Sequence, residues 1–154
     1  MQNVSVIKNH HKVIHNTSLK EIYGLIKNPQ SPHRQAIEEI RQLYVIGSAK
    51  QADDLKKDLM GFTVSGIFNK RRIEKNLSSY SGMLILDIDD LDPRQVNEVM
   101  ERAKFIAYTY MAFISPSGFG VKIIVKINSA QQYHKTAYAQ VVSYYRKEIG
   151  DITG

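Results

Sequence analysis

The chain has 154 residues, no cysteine and no tryptophan, and 21 Lys and Arg against 15 Asp and Glu, for a net charge of +6. Without cysteine there can be no disulfide and no cysteine-ligated zinc or iron–sulfur centre, and 43% hydrophobic content excludes a disordered tail. No apolar run approaches a membrane span and the first residues lack a signal peptide's basic and apolar parts, so a cytoplasmic protein without a membrane is expected, its basic surplus favouring polyanionic partners.

Val4 to Ile7 alternates like a short strand, and the five histidines show no strong metal-ligand spacing, His10, His11 and His15 reading as a polar loop. Ser18 and Glu21 have the spacing of a capping box ahead of Leu19, Ile22, Leu25 and Ile26, which predicts a helix ending before Pro29. Ser31-Pro32 opens a second helix with Ile37, Ile40 and Tyr44 on one face, and Ser48 opens a third that closes at Met60-Gly61. Phe62 to Phe68 reads as one strand, followed by the basic turn Asn69-Lys70-Arg71-Arg72.

Met83 to Asp89 is a strand apolar on both faces, which predicts a central position in its sheet. Asp92-Pro93 starts a helix with Val96, Val99, Met100 and Ala103 as its buried stripe. Phe105 to Ile114 and Val121 to Ile127 then form a hairpin around the turn Ser115 to Gly120, and Ser129 caps a last helix that ends at Gly150. Tyr108 and Tyr110 alternate on their strand, where core packing is the expectation and base stacking the alternative.

The strand, helix, strand, strand, helix order from Met83 onward predicts an α+β fold, a ferredoxin- or RRM-like βαββα(β) core with an N-terminal α/β extension. One domain over residues 1–154 is expected, with a mainly helical part to residue 61 and a catalytic-type core over 62–154 that stops before its last strand. The chain is accordingly expected to be an excerpt of a longer protein.

Two stretches carry chemistry. Asp87 and Asp89 sit two apart at the end of an extended strand, so their carboxylates share one face, where they can hold one or two Mg2+ or Mn2+ ions. Asp87 lies inside the apolar run, where a buried carboxylate would call for a cation. Asp90 and Asp92 serve the turn and the helix cap. Ser115, Ser117, Gly118, Gly120 and Lys122 form a glycine-broken turn with hydroxyls, amides and an ammonium suited to phosphate oxygens, and Lys122 and Lys126 share one face of the next strand while Val121, Ile123, Val125 and Ile127 share the other. Lys70, Arg71 and Arg72 can contact a nucleic-acid backbone, although a solvated turn is the commoner outcome for such a run.

The segments Phe62-Thr63-Val64-Ser65-Gly66-Ile67-Phe68, Tyr80 to Asp89 and Ser115 to Lys122 resemble the N-terminal domain of VirE-type proteins, a branch of the archaeo-eukaryotic primase (primase-polymerase) superfamily. The resemblance runs from about Lys56 to the C-terminus. It implies a nucleotidyltransferase of mobile-element or phage replication, with Asp87 and Asp89 as catalytic metal ligands and Ser115, Ser117, Gly118, Gly120 and the position of Lys122 at the incoming nucleotide's phosphates. Nucleoside triphosphates, a single-stranded DNA or RNA template, Mg2+ or Mn2+, and a helicase domain following in the whole protein are the implied partners. Two departures stand out: Lys122 occupies the superfamily's histidine position, and Asp151 is the only candidate for a third metal-binding aspartate. A non-catalytic nucleic-acid or nucleotide-binding module attached to a helicase is the alternative. A haloacid-dehalogenase-type phosphatase reading of Leu86 to Leu91 fits less well, because too little chain follows for its parallel sheet.

Overall fold

Residues 2–150 are described by a computed structural model, in which five α-helices and eight strands make a mixed α/β protein with three small antiparallel sheets. Asp151 lies outside the described residues. No helix among the described residues is long and apolar enough to cross a membrane. The chain divides into two compact units, Met1–Ser81 and Gly82–Gly154.

In the first unit, β1 (Asn3–Lys8) pairs antiparallel with β2 (Lys12–Ser18) and with β3 (Gly61–Thr63). Of the histidines read as a polar loop, His10 and His11 lie in the turn before β2, whereas His15 lies within the strand. Most of its side chains are exposed, so it lacks the apolar alternation that betrays a strand, and pairing with β1 makes it one. The expected capping box is present at the start of α1 (Leu19–Lys27): the Glu21 N–H donates to Ser18 Oγ at 3.2 Å. Helices α2 (His33–Val45) and α3 (Ala49–Asp58) follow, burying Ile40 and Ala52.

Phe62 to Phe68 is not one strand. The chain turns at residues 64–65, so that β3 joins β1 while β4 (Gly66–Phe68) pairs with β5 (Leu77–Tyr80) in another sheet. Gly66 permits the turn: its φ is +147°, and a Cβ there would stand 1.9 Å from the Ser79 carbonyl oxygen. Buried Thr63 fastens the corner, its Oγ1 accepting from the Ser5 N–H at 3.0 Å and donating to the Gly66 carbonyl at 2.6 Å.

The second unit runs β6 (Met83–Ile88), α4 (Pro93–Lys104), β7 (Thr109–Ile114), β8 (Val121–Lys126) and α5 (His134–Ile149). Its sheet has the order β6-β8-β7 with both pairings antiparallel, so β6 and β7 run parallel on either side of β8. The carboxylate strand β6 is therefore not the middle one among the described residues. That place goes to β8, whose Val121, Ile123, Ile124 and Val125 are at most 1% exposed. Asp92 and Pro93 open α4 as expected, with the Gln95 N–H donating to Asp92 Oδ1 at 2.8 Å. The strand expected from Phe105 begins only at Thr109, because Phe105 ends α4 and is exposed. Helix α5 begins at His134 after a 3-10 turn rather than at Ser129, whose Oγ is buried without a partner. Leu84, Leu86, Val121, Ile123 and Val125 of the sheet pack with Val96, Val99 and Ala103 of α4 and with Tyr145 and Ile149 of α5. Each large side chain so buried contributes about 1.5–3 kcal/mol, and this core fixes where the open end of β6 points.

Candidate functional site

Antiparallel pairing places the C-terminal end of β6 beside the start of β8, which puts the carboxylates and the turn at the same end of the sheet. Asp87 stands directly across from Lys122, and Lys122 across from Phe113 on β7. The Lys122 ammonium forms an ion pair with Asp87 Oδ2. Asp87 is not the buried carboxylate that its apolar neighbours suggest: it lies near the end of β6, is 46% exposed, and already has a cation. Alternation puts it on the face opposite Leu84 and Leu86, and its place towards the strand's end leaves it exposed where Met83, on the same face, is fully buried.

One residue beyond β6, Asp89 is exposed, and its carboxylate lies against the turn. A Cβ on Gly120 would stand 2.8 Å from the Ile88 carbonyl oxygen, 2.9 Å from Asp89 Oδ1 and 3.0 Å from Ser115 Oγ. Any side chain there would push the acidic segment and the turn apart. The same two segments are tied by the Leu91 N–H, which donates to the Phe119 carbonyl at 2.9 Å. Asp90 takes a left-handed φ of 58° to let the chain leave the strand, and Asp92 caps α4, the roles expected for both.

Inside the turn, the Ser115 N–H donates to the Gly120 carbonyl at 2.9 Å, the Gly118 N–H to the Ser115 carbonyl at 3.0 Å and the Phe119 N–H to Ser117 Oγ at 3.2 Å. The Ser115 and Ser117 hydroxyls are 2.9 Å apart. Gly118 has a φ of +83°, which a residue with a Cβ would adopt only under strain. The amides of Ser115 and Gly118, expected to face a ligand, are thus spent in shaping the turn. The strand face carrying Lys122 and Lys126 is less basic than its two lysines suggest, because Ile124 between them is fully buried.

The donor set suits one kind of metal. No group of three or more His, Cys, Asp and Glu that could hold a metal occurs among the described residues, and Asp87 and Asp89 are the residues here that could ligate a hard divalent cation. They do not match a cation held by protein alone.

Lys126 sits at the other end of β8 and lines a cavity of about 330 Å3 with Tyr108, Ser129, Gln140, Tyr144 and Tyr145. Tyr108 and Tyr110 are exposed rather than packed in the core, and the Tyr108 and Tyr144 rings meet edge to face with centroids 5.8 Å apart. Burial pushes the Tyr145 phenol above its usual range, and its hydroxyl pairs with Thr109 Oγ1 at 2.8 Å. Lys70, Arg71 and Arg72 belong to the first unit. The sequence pattern does not show the cross-strand pairing of Asp87 with Lys122, because the hairpin register sets Lys122 only against Phe113, and the pairing with Asp87 comes from the non-local approach of β6 to β8.

Fold and site define a mixed α/β protein with an exposed strand-end carboxylate pair against a serine- and glycine-rich turn. The chain belongs to the family described as BT4734-like, N-terminal domain, which it matches over residues 54–151. No curated protein and no solved structure matches it significantly.

Proposed function

We propose that the chain is a primase-polymerase-like nucleotidyltransferase domain of a replication protein, with Asp87, Asp89 and the Ser115–Lys122 turn as its nucleoside triphosphate site. The observation that carries this reading is the fit of Gly120 against Asp89 Oδ1 and Ser115 Oγ, which makes the carboxylate pair and the turn one site. The βαββα order with strands in the order β6-β8-β7 supports it, being that of a ferredoxin-like unit.

Asp87 and Asp89 would hold Mg2+ or Mn2+, which supplies charge neutralisation and activation of the attacking hydroxyl for in-line displacement. The Ser117 hydroxyl and the Gly120 amide would meet phosphate oxygens. Lys122 would turn from Asp87 to the phosphates, exchanging one anionic partner for another in a partly solvated setting. A single-stranded template and a following helicase domain complete the proposal. The reading is tested by Mn2+-dependent incorporation of a labelled nucleotide onto a primed template. It requires incorporation by the wild type and none by Asp87→Asn/Asp89→Asn.

The Lys122–Asp87 ion pair favours a second reading, a module that binds nucleotide phosphates without transferring them. Triphosphate binding without incorporation would select it. The phosphatase reading is disfavoured, since β6 pairs antiparallel with its neighbour where that fold needs a parallel sheet.

A further inference from the structure

Two stretches of the first unit far apart in sequence meet at one exposed, unneutralised basic surface. β1 and β2 are joined by a tight loop in which Lys8 lies directly opposite Lys12 and in which Asn9 and His10 take left-handed φ values of 51° and 64°. The loop does not stand alone. Lys12 makes a β-bridge with Arg71, the Arg72 N–H donates to the His11 carbonyl at 2.8 Å, and the Val13 N–H donates to the Lys70 carbonyl at 3.0 Å. The second stretch is itself braced: Asn76 Nδ2 donates to the Arg71 carbonyl at 3.2 Å, and the Asn69 N–H to the Asn76 carbonyl at 2.8 Å.

Backbone bonding therefore fixes the two loops together and leaves the side chains of Lys8, Lys12, Lys70, Arg71 and Arg72 in solvent, with His10 and His11 exposed beside them. These five cations are set apart by being gathered on two loops that backbone bonds hold together. Lys56, Lys57, Arg102, Lys104 and Lys122 each have a carboxylate partner, whereas none of the five forms an ion pair with a described residue, although Glu74 follows two residues after Arg72. A fixed cluster of unpaired cations is the form in which a protein meets a chain of phosphates, because each contact releases a condensed counterion while the backbone loses no further freedom.

We propose that the β1–β2 loop and the Lys70–Arg72 turn form a single binding surface for the phosphate backbone of a single-stranded nucleic acid. This extends the nucleic-acid half of the proposed function to a surface that makes no use of the Asp87 site. Five contacts imply a log–log salt slope of about −3.5 for a single strand, with about 0.7 lost per cation removed.

The test is fluorescence anisotropy of a labelled mixed-sequence oligonucleotide of about 20 nucleotides, between about 50 and 200 mM salt. Compared with wild type are Lys8→Gln/Lys12→Gln, Lys70→Gln/Arg71→Gln/Arg72→Gln, and Lys57→Gln/Lys104→Gln, which removes the same two charges as the first from paired positions. The slope should flatten by about 1.4 in the first and about 2.1 in the second, and stay unchanged in the third. Equal flattening in the first and third would mean diffuse attraction to net charge and overturn the proposal. So would a first variant that keeps the wild-type slope, or displacement of the oligonucleotide by polyglutamate as effectively as by unlabelled oligonucleotide, which would point to an acidic protein. Triphosphate binding measured in parallel keeps the two ideas apart: it should be unchanged in all three variants, and its absence from the wild type would refute the nucleotide site while leaving the salt slopes to decide this surface.

Discussion

Replacing Gly120 by alanine tests whether the carboxylates and the turn are one site. The new Cβ would meet a backbone oxygen at 2.8 Å, a carboxylate oxygen at 2.9 Å and a hydroxyl at 3.0 Å, all inside ordinary contact distance. Ile88 ends a paired strand and cannot retreat without breaking its pairing with Val121. Relief must come from Asp89 swinging outward and Ser115 shifting, the latter at the expense of its contact with Ser117. Overpacking of this kind costs about 1–3 kcal/mol, or roughly 2–12 °C in Tm for a chain of this size. Displacement of Asp89 should also remove most of the metal-dependent part of triphosphate binding. Thermal unfolding gives the first quantity and calorimetric titration of a non-hydrolysable triphosphate with Mn2+ the second. Gly24→Ala provides the opposite sign, since a Cβ in the middle of α1 meets nothing within 4 Å and should stabilise by about 0.5–1 kcal/mol. A Gly120→Ala protein as stable as wild type that binds the metal–triphosphate equally well would refute the argument.

Lys122→Ala should weaken triphosphate binding by about tenfold or more, the loss expected for a charge-assisted contact, while changing stability by about 1 kcal/mol or less because its partner Asp87 is nearly half exposed; calorimetry and denaturant unfolding read the two. Thr63→Val should cost about 1–3 kcal/mol in denaturant unfolding, because it strands the Ser5 N–H and the Gly66 carbonyl in a buried corner. Asp92→Ala should cost about 1 kcal/mol in the same assay by removing one half of the α4 capping box. Burial holds the His134 imidazole below its usual range, so the unfolded chain binds a proton first as pH falls. Stability should therefore drop as pH goes below about 6.5, and His134→Gln should flatten that limb of the unfolding-versus-pH curve.

Two helix starts were legible, because Ser18 with Glu21 and Asp92 with Pro93 are local signals that local bonding then satisfies, whereas α2 begins after Pro32 rather than from a Ser31 cap and Ser48 heads α3 without a side-chain cap bond. Ser129 failed as such a signal: the chain takes a 3-10 turn first, and its hydroxyl ends without a partner. Strands whose existence depends on a neighbour escaped, β2 because its side chains face water and the break between β3 and β4 because only the approach of Ser79 to Gly66 reveals it. Within the site, the apolar run around Asp87 suggested a burial that its place near the end of the strand does not impose. The ion pair to Lys122 depends on register between strands more than thirty residues apart, which no local pattern records.

The central claim is that Asp87, Asp89 and the turn bind metal and triphosphate together, and the most direct measurement is the affinity of a non-hydrolysable nucleoside triphosphate with and without Mn2+, for wild type and for Asp87→Asn/Asp89→Asn. Mn2+ should tighten wild-type binding by about tenfold or more, on the order of 1.4 kcal/mol, and the double variant should keep its metal-free affinity but lose this increment. An increment of the same size in both proteins would contradict that claim.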